Sequence, residues 1–494
     1  MEATSRTRLN DNQLLPLFVL IVIGFLVRWA TVQLFIDAPG DGPTRALIAY
    51  DWAESPYLST HGVWPPGFTY LAGFFSLFVH NPLISVRILN IILGTLTIPV
   101  FYQLTRLIFG HPVAIFSASI LTFFPLHVGL SASSLTEVSF LFVLLLGTLF
   151  LIQGFKDSAY NLTYLIASFA VLFLAEMMRY ETWVLIPAFI IYVFLKTRNI
   201  WAASLTLALL LIFPIGWMIG NQLASGNALI GFTEAARGTE SGVLGVSIFG
   251  AVAILVTELA AYMGWVLPIF ATLGISVSAI KNLRQSLNPE EIFYLSITCI
   301  YWAVMFRFIM TRGDSLWDRY LLFGLIFLLP FILYPLRTYL MKRNKKILLF
   351  SFVSCVLVLT SFAVGKASDY SSSVFLTHKQ PTEIIEVVDW LQQSPYEEAP
   401  VILTRMDWDS TYFSLYDPDS TSRTIVVSLW ITDTQLEDFI EQYSSFIFIT
   451  REGDDDLQTW VAESLGVEIL AKDLIQEIGR TKVYYLPDVG GSST

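Results

Sequence analysis

Between Gly40 and Phe68 the chain reads GDGPTRALIAYDWAESPYLSTHGVWPPGF, which sets Asp41, Arg45, Asp51, Glu54 and His61 between two stretches built for lipid. Carboxylates in such a loop can accept protons or hold a cation, and guanidinium groups can grip an anion through paired hydrogen bonds. Further along, Arg28, Arg87, Glu137, Glu176, Arg179 and Arg307 stand in or at the ends of apolar segments, and Arg312, Asp318 and Arg319 flank another polar stretch. Ionisable residues placed this way are costly and mark function by default. The topology set out below gathers them at one membrane face. A transporter would put its site near the bilayer midplane. A charged layer on one side suits an enzyme that acts on a lipid-anchored substrate at the interface.

The elements that must position these residues are apolar helices. Of 494 residues, 55% are hydrophobic and 14% charged, where a soluble domain carries about 25% charge. Windows of roughly 20 apolar residues, enough to cross the hydrocarbon core, recur through the first 365 positions. They read as spans at 14–35, 83–109, 113–130, 136–153, 162–178, 182–196, 200–220, within 246–280, and at 292–310, 320–336 and 347–365. The first lacks a small-residue cleavage site and reads as a retained span. Arg337, Lys342, Arg343, Lys345 and Lys346 form the densest basic cluster, which belongs in the cytoplasm with Arg6 and Arg8. An even number of crossings must separate the two, so 246–280 counts once. That predicts eleven spans, a cytoplasmic N-terminus and an extracytoplasmic tail on a multi-pass protein of the cell membrane. Cys299 and Cys355 both lie in apolar runs, so no disulfide framework is indicated.

Charge divides the chain a second time. From Lys366 onward there are 8 basic and 23 acidic residues, against 21 and 17 before it. Two domains follow: residues 1–365 in the membrane, with 36–82 as a first outer loop bearing interfacial helices, and an acidic soluble domain at 366–494. Helical patterns at 383–393, 433–443 and 455–465 alternate there with β-rich runs at 401–404, 424–429, 446–450 and 483–486, which predicts a small α/β layer. The fold class is thus a polytopic α-helical membrane protein with a C-terminal α/β domain. So acidic a tail excludes nucleic acid as a partner.

Several stretches together carry a resemblance: the acid-bearing first loop, RILNIILGTLTIPVFYQLTRLIFG, ASILTFFPLHVGLSASSLTEVSFLF, the RYETW turn and the late DRYLL segment. The chain resembles the C-type superfamily of integral membrane glycosyltransferases that use polyprenyl-phosphate sugars, in particular the branch of protein O-mannosyltransferases and lipid A aminoarabinose transferase. The likeness covers most of residues 14–340. It implies an inverting transfer of a sugar from a polyprenyl-phosphate donor to a protein, lipid or glycan acceptor. It also implies that Asp41 is the general base in the first loop; Glu137, a carboxylate beside an apolar run, is a second catalytic candidate on its own placement. Where the superfamily often has Asp-Glu followed closely by Arg, this chain has Asp41-Gly42-Pro43-Thr44-Arg45, and Trp64 stands where a lysine tends to precede the proline pair. The donor phosphate then needs other cations: Arg45, Arg179, Arg312 and Arg319, with His61 as a further donor and Glu181 and Asp318 beside them. A positioned carboxylate contributes about 10²–10⁴-fold to such a transfer, and arginine forks suit the leaving phosphate.

Each assignment has a plainer counterpart. Asp41 can cap the interfacial helix that starts near Thr44, and Glu137 can be an N-terminal helix charge. Arg179 with Glu181, and Asp318 with Arg319, can be interfacial ion pairs. Trp64, Trp183 and Trp317 read as membrane-belt anchors. A divalent metal at Asp41 and Glu137 is compatible with carboxylate chemistry, but no ligand cluster demands one, and the cofactor stays unassigned. Two other functions remain open at this point: a flippase for lipid-linked sugars, and a non-catalytic scaffold or sensor. The sugar, the polyprenol and the acceptor are not legible.

Overall fold

The computed structural model describes residues 11–34, 41–156, 160–231, 246–264, 266–284, 288–312, 318–336, 382–404, 423–427, 439–443, 445–451 and 455–487, with single positions at 413 and 436. The chain divides into two compact units, one of residues 1–36 and 48–374 and the other of 37–47 and 375–494. The expected span at 347–365 and the basic cluster at 337–346 lie outside the described residues.

The larger unit is helical. Its helices are α1 (Asp11–Leu34), α2 (Asp41–Glu54, whose first turns fall in the other unit), α3 (Gly67–Ser76), α4 (Pro82–Phe109), α5 (His111–Phe123), α6 (Pro125–Ser131), α7 (Glu137–Gly154) and α8 (Leu162–Met178). They continue as α9 (Glu181–Thr197), α10 (Ile200–Leu210), α11 (Ile212–Ser225), α12 (Ile248–Met263), α13 (Val266–Arg284), α14 (Pro289–Arg312) and α15 (Leu321–Leu333). Among the described residues five helices are long and apolar enough to cross a membrane, or up to seven if each bent pair is one span. Large apolar side chains such as Leu15, Phe18, Trp201 and Phe249 stand exposed on them, which is what a lipid-facing surface requires.

Local sequence sets the ends. Asn81, Asn161, Asn199 and Ser247 each accept a backbone N–H at a helix start, and Pro82 follows Asn81 in the first turn of α4. Small residues let helices touch. Gly147 of α7 faces Leu172 of α8, and the Ser168 hydroxyl donates to the Gly147 carbonyl at 2.8 Å. The run read as one span at 113–130 is broken: α5 and α6 meet at 57°. Pro125 is the cause, because it offers no N–H and crowds the preceding turn, leaving Phe124 extended.

The two ends of this unit are tied differently. At the start of α14, the Lys281 ammonium bonds Glu291 at 3.0 Å and the Tyr334 hydroxyl at 3.2 Å, while Lys196 at the end of α9 pairs with Glu290 at 2.7 Å. At the other end of α14, the Val246 amide donates to the Met310 carbonyl. The stretch from Val246 to Lys281 therefore runs from one end of α14 to the other.

The smaller unit holds a five-stranded sheet of β1 (Val401–Thr404), β2 (Thr424–Val427), β3 (Phe446–Arg451), β4 (Leu474–Ile478) and β5 (Thr481–Leu486) in the order β2-β1-β3-β5-β4. The first three strands are parallel, and β5 and β4 join antiparallel through a turn at Gly479, whose φ of +60° suits glycine. Alternation supplies both faces. Val401, Leu403, Ile447, Ile449 and Val483 pack with Ile384, Val387 and Leu391 of helix α16 (Thr382–Gln392). Ile402, Phe446, Phe448 and Tyr484 pack with Val461 and Leu465 of helix α17 (Asp455–Leu465). A sheet covered on both sides can carry parallel strands.

Candidate active site

The break at Pro125 sends the chain through α6 into a tight turn, Ala132–Thr136, from which α7 starts at Glu137. Side chains of α4 grip this turn almost residue by residue. Arg87 Nε donates to the Ala132 carbonyl at 2.7 Å, and the Asn90 amide donates to the Ser133 and Leu135 carbonyls, each at 2.7 Å. Ser139 donates in turn to the Asn90 side-chain oxygen. Without these partners the turn's carbonyls would be buried and unpaired.

Glu137 thereby sits at the N-terminus of α7 with its side chain only 1% exposed. It meets the turn between α8 and α9, which carries Arg179 and Glu181. One Arg179 nitrogen, Nη1, donates to Glu137 Oε1 at 2.7 Å and to Thr136 Oγ1 at 2.9 Å. Its Nε and Nη2 converge on Glu181 Oε1 at 3.0 and 2.6 Å. Arg319 lies against the same carboxylate, its Nε 3.6 Å from Glu137 Oε1. The Tyr320 ring stands 5.6 Å from the Arg179 guanidinium and 5.3 Å from that of Arg319, close enough for cation–π attraction. Burial alone would lower the Arg179 pKa, but Glu181 and then Glu137 outweigh it and hold it well above its ordinary value. The guanidinium is a fixed charge.

The chemistry follows from the unequal use of one carboxylate. Glu137 Oε1 is held by Arg179, whereas Oε2 has no hydrogen-bond partner among the described residues. A carboxylate locked by one oxygen has the other to offer to a hydroxyl. Most of the Arg179 donors are already engaged by Glu137, Thr136 and Glu181, so this arginine orients carboxylates more than it offers itself to an incoming anion.

The remaining expected site residues are distributed as follows. Asp41 is the first residue of α2 and Arg45 lies one turn on, in the part of the helix that falls in the smaller unit. His61 is exposed, its Nδ1 3.3 Å from Thr60 Oγ1. Arg312 ends α14 and Asp318 begins a short 3-10 turn, and only their backbones are described. Glu176 is fully buried, and neither of its oxygens has a partner among the described residues. Arg307 is exposed. No group of three or more His, Cys, Asp or Glu able to hold a metal occurs among the described residues.

Sequence reasoning did not single out Thr136 or Tyr320. Threonine before an acid at a helix start reads as a cap, yet the Thr136 side chain does not cap α7 and instead accepts from Arg179. Tyr320 carried a weaker signal, an aromatic following an outer arginine.

Comparison with known proteins fits this geometry. The family described as dolichyl-phosphate-mannose-protein mannosyltransferase matches residues 63–218, the stretch from within the first loop to α11 that contains Glu137, Arg179 and Glu181. A search of curated proteins finds no match. The fold is similar to that of ArnT from Cupriavidus metallidurans bound to undecaprenyl phosphate, with a TM-score of 0.64 at 12% identity, over 95% of this chain and 97% of that one. It is similar as well to the Archaeoglobus fulgidus oligosaccharyltransferase in the apo form, with a TM-score of 0.60 at 13% identity, over 91% of this chain and 71% of that one. The oligosaccharyltransferase AglB from Archaeoglobus fulgidus, in complex with an inhibitory peptide and a dolichol-phosphate, gives a TM-score of 0.57 at 13% identity, over 89% of this chain and 69% of that one. The chain shares the fold of these structures, an integral membrane helical domain followed by a small sheet domain.

Proposed function

We propose that this protein is a membrane glycosyltransferase that moves one sugar from a polyprenyl-phosphate donor to a hydroxyl acceptor, with inversion. The observation that carries the reading is Glu137, a buried carboxylate with one oxygen fixed by Arg179 and the other unpartnered among the described residues. In the reaction a carboxylate takes the acceptor's proton as its oxygen attacks the anomeric carbon. The bond from that carbon to the phosphate oxygen breaks, and polyprenyl phosphate leaves with the electron pair. Asp41 and Glu137 are the two carboxylates for this work. Arg319, with Arg45 and Arg312, supplies positive charge for the leaving phosphate, and His61 is a further hydrogen-bond donor. Arg179, Glu181 and Asp318 hold the substrate-facing groups in place. The ArnT and AglB structures hold polyprenyl phosphates, which supports a lipid-linked donor here.

In this reading the N-terminus is cytoplasmic, the smaller unit is extracytoplasmic, and the acceptor is a protein, lipid or glycan. Lipid-linked sugars and glycans compared between cells with and without the gene would identify donor and acceptor. With those in hand, Asp41→Asn and Glu137→Gln separate the two carboxylates. The one that acts as base loses about 10²–10⁴-fold in turnover with donor binding kept. If both variants transfer at near-normal rates, the chain is no transferase of this kind.

A further inference from the structure

The stretch from Ser55 to Pro66, between α2 and α3, has no regular structure, and such segments are usually among the least protected in a protein. Here its backbone is fastened repeatedly within six residues. The Ser59 amide donates to the Tyr70 hydroxyl at 2.7 Å, and the Gly62 amide donates to the Asn221 side-chain oxygen at 2.7 Å. The Val63 carbonyl accepts from the Tyr180 hydroxyl at 2.8 Å, and Trp217 Nε1 donates to that same hydroxyl at 3.3 Å. The Thr60 carbonyl lies so close to Gly220 that a β-carbon there would collide with it. Gly62 itself has φ +144°, a conformation that side-chain-bearing residues rarely adopt.

Three residues of α11 therefore form a seat: Gly220 leaves room for a carbonyl, the buried Asn221 receives an amide, and Trp217 braces Tyr180. Tyr180 joins this seat to the charged cluster, because it is the residue between Arg179 and Glu181. Its ring also packs edge-on against Trp183, with centroids 4.7 Å apart. The exposed His61 lies directly before two residues whose backbones are held, so its reach depends on the same bonds.

We infer that Tyr180 is a positioning residue: its hydroxyl registers the first polar loop, and with it His61, against the turn that carries Arg179 and Glu181, with Gly220 and Asn221 as the seat. The inference rests on the functional reading above in placing that turn at the donor site. Tyr180→Phe is a clean probe, since it removes one oxygen, keeps the ring packing and leaves both the Val63 carbonyl and the Trp217 N–H short of a partner.

Hydrogen exchange is to be followed on the full chain in lipid nanodiscs, with undecaprenyl phosphate as the binding probe. In Tyr180→Phe, exchange at residues 59–64 rises about tenfold, the size of effect expected from losing a hydrogen bond or two. The thermal midpoint stays within about 2 °C, and the Kd for undecaprenyl phosphate rises about three- to tenfold. Gly220→Ala unseats the loop from the other side, so the double variant is no worse than Gly220→Ala alone. Trp217→Phe removes the donor to the Tyr180 hydroxyl together with part of a buried ring that stacks on Phe213; it raises loop exchange in the same way with a larger fall in thermal midpoint, and stands in if Tyr180→Phe fails to fold. Unchanged loop exchange in both hydroxyl-network variants, or effects that multiply in the double variant, would overturn the inference. If the unaltered protein does not bind undecaprenyl phosphate at all, the functional reading falls, and the exchange measurements alone decide on the seat.

Discussion

Two buried arginines of this protein are held in opposite ways. Arg179 is surrounded by charge, with Glu137 and Glu181 on its donors and Arg319 nearby. Arg28, in α1, is fully buried, and its acceptors among the described residues are neutral: Ser131 Oγ at 3.2 Å, the Gly24 carbonyl at 2.9 Å, the Thr122 carbonyl at 3.4 Å and His127 Nδ1 at 2.7 Å. Two of these partners explain its place. Thr122 lies in the last turn of α5, where Pro125 disrupts the normal bonding, and Ser131 ends α6. Arg28 therefore splints the helix break. Because His127 Nδ1 accepts, its proton is on Nε2, which has no partner among the described residues. A cation among neutral acceptors maintains architecture, while a cation among carboxylates fixes the direction and charge of groups that can react.

The comparison can be broken experimentally. The largest effect is expected at Arg179. Arg179→Met removes the cation that bridges Glu137 and Glu181 and should cost about 3–5 kcal/mol, read as a lowered thermal midpoint, with transfer abolished. Arg179→Lys keeps the charge but not the fork, so it should recover most of the stability and little of the transfer. Full transfer by the lysine variant would show that orientation of Glu137 is unimportant.

Arg28→Met comes next. It removes a buried charge but strands several acceptors, for a net loss of about 1–3 kcal/mol. Transfer by the folded variant should stay within about threefold of normal. A rate loss as deep as that of Arg179→Lys would erase the distinction between the two arginines. The smallest change is expected at the far end of the bundle, where Lys196 and Glu290 are each about one-fifth exposed. Lys196→Met should shift stability by less than about 1 kcal/mol and leave transfer unaltered, as a control for general loosening of the helices.

How much of this was readable from the chain follows from the range of the interactions. Glu137, Arg179, Glu181 and Arg319 stood out because a charge beside an apolar run is conspicuous one residue at a time, and the structure brings these four together. The α/β alternation of the tail was legible for the same local reason. Strand β4 was not, because LIQEI mixes polar and apolar residues and pairs only through β5. Arg28 and Arg87 read as members of the same charged layer, yet they bind backbone carbonyls that become available only after Pro125 has broken a helix. The seat on α11 was equally hidden. What Gly220 makes room for is a carbonyl far away in sequence, and no pattern within α11 announces it.

The Arg179–Glu137 contact has a consequence for biosynthesis. It links the entry of α7 to the exit of α8, two helices joined by a short connection. As the chain leaves the ribosome, the pair can close as soon as this helical hairpin has formed, well before Arg319 has been translated. Glu137 can therefore enter the membrane already matched by a cation, at a lower insertion cost than an isolated carboxylate would incur. Arg319 and Tyr320 arrive later and dock onto an ion pair that is already in place.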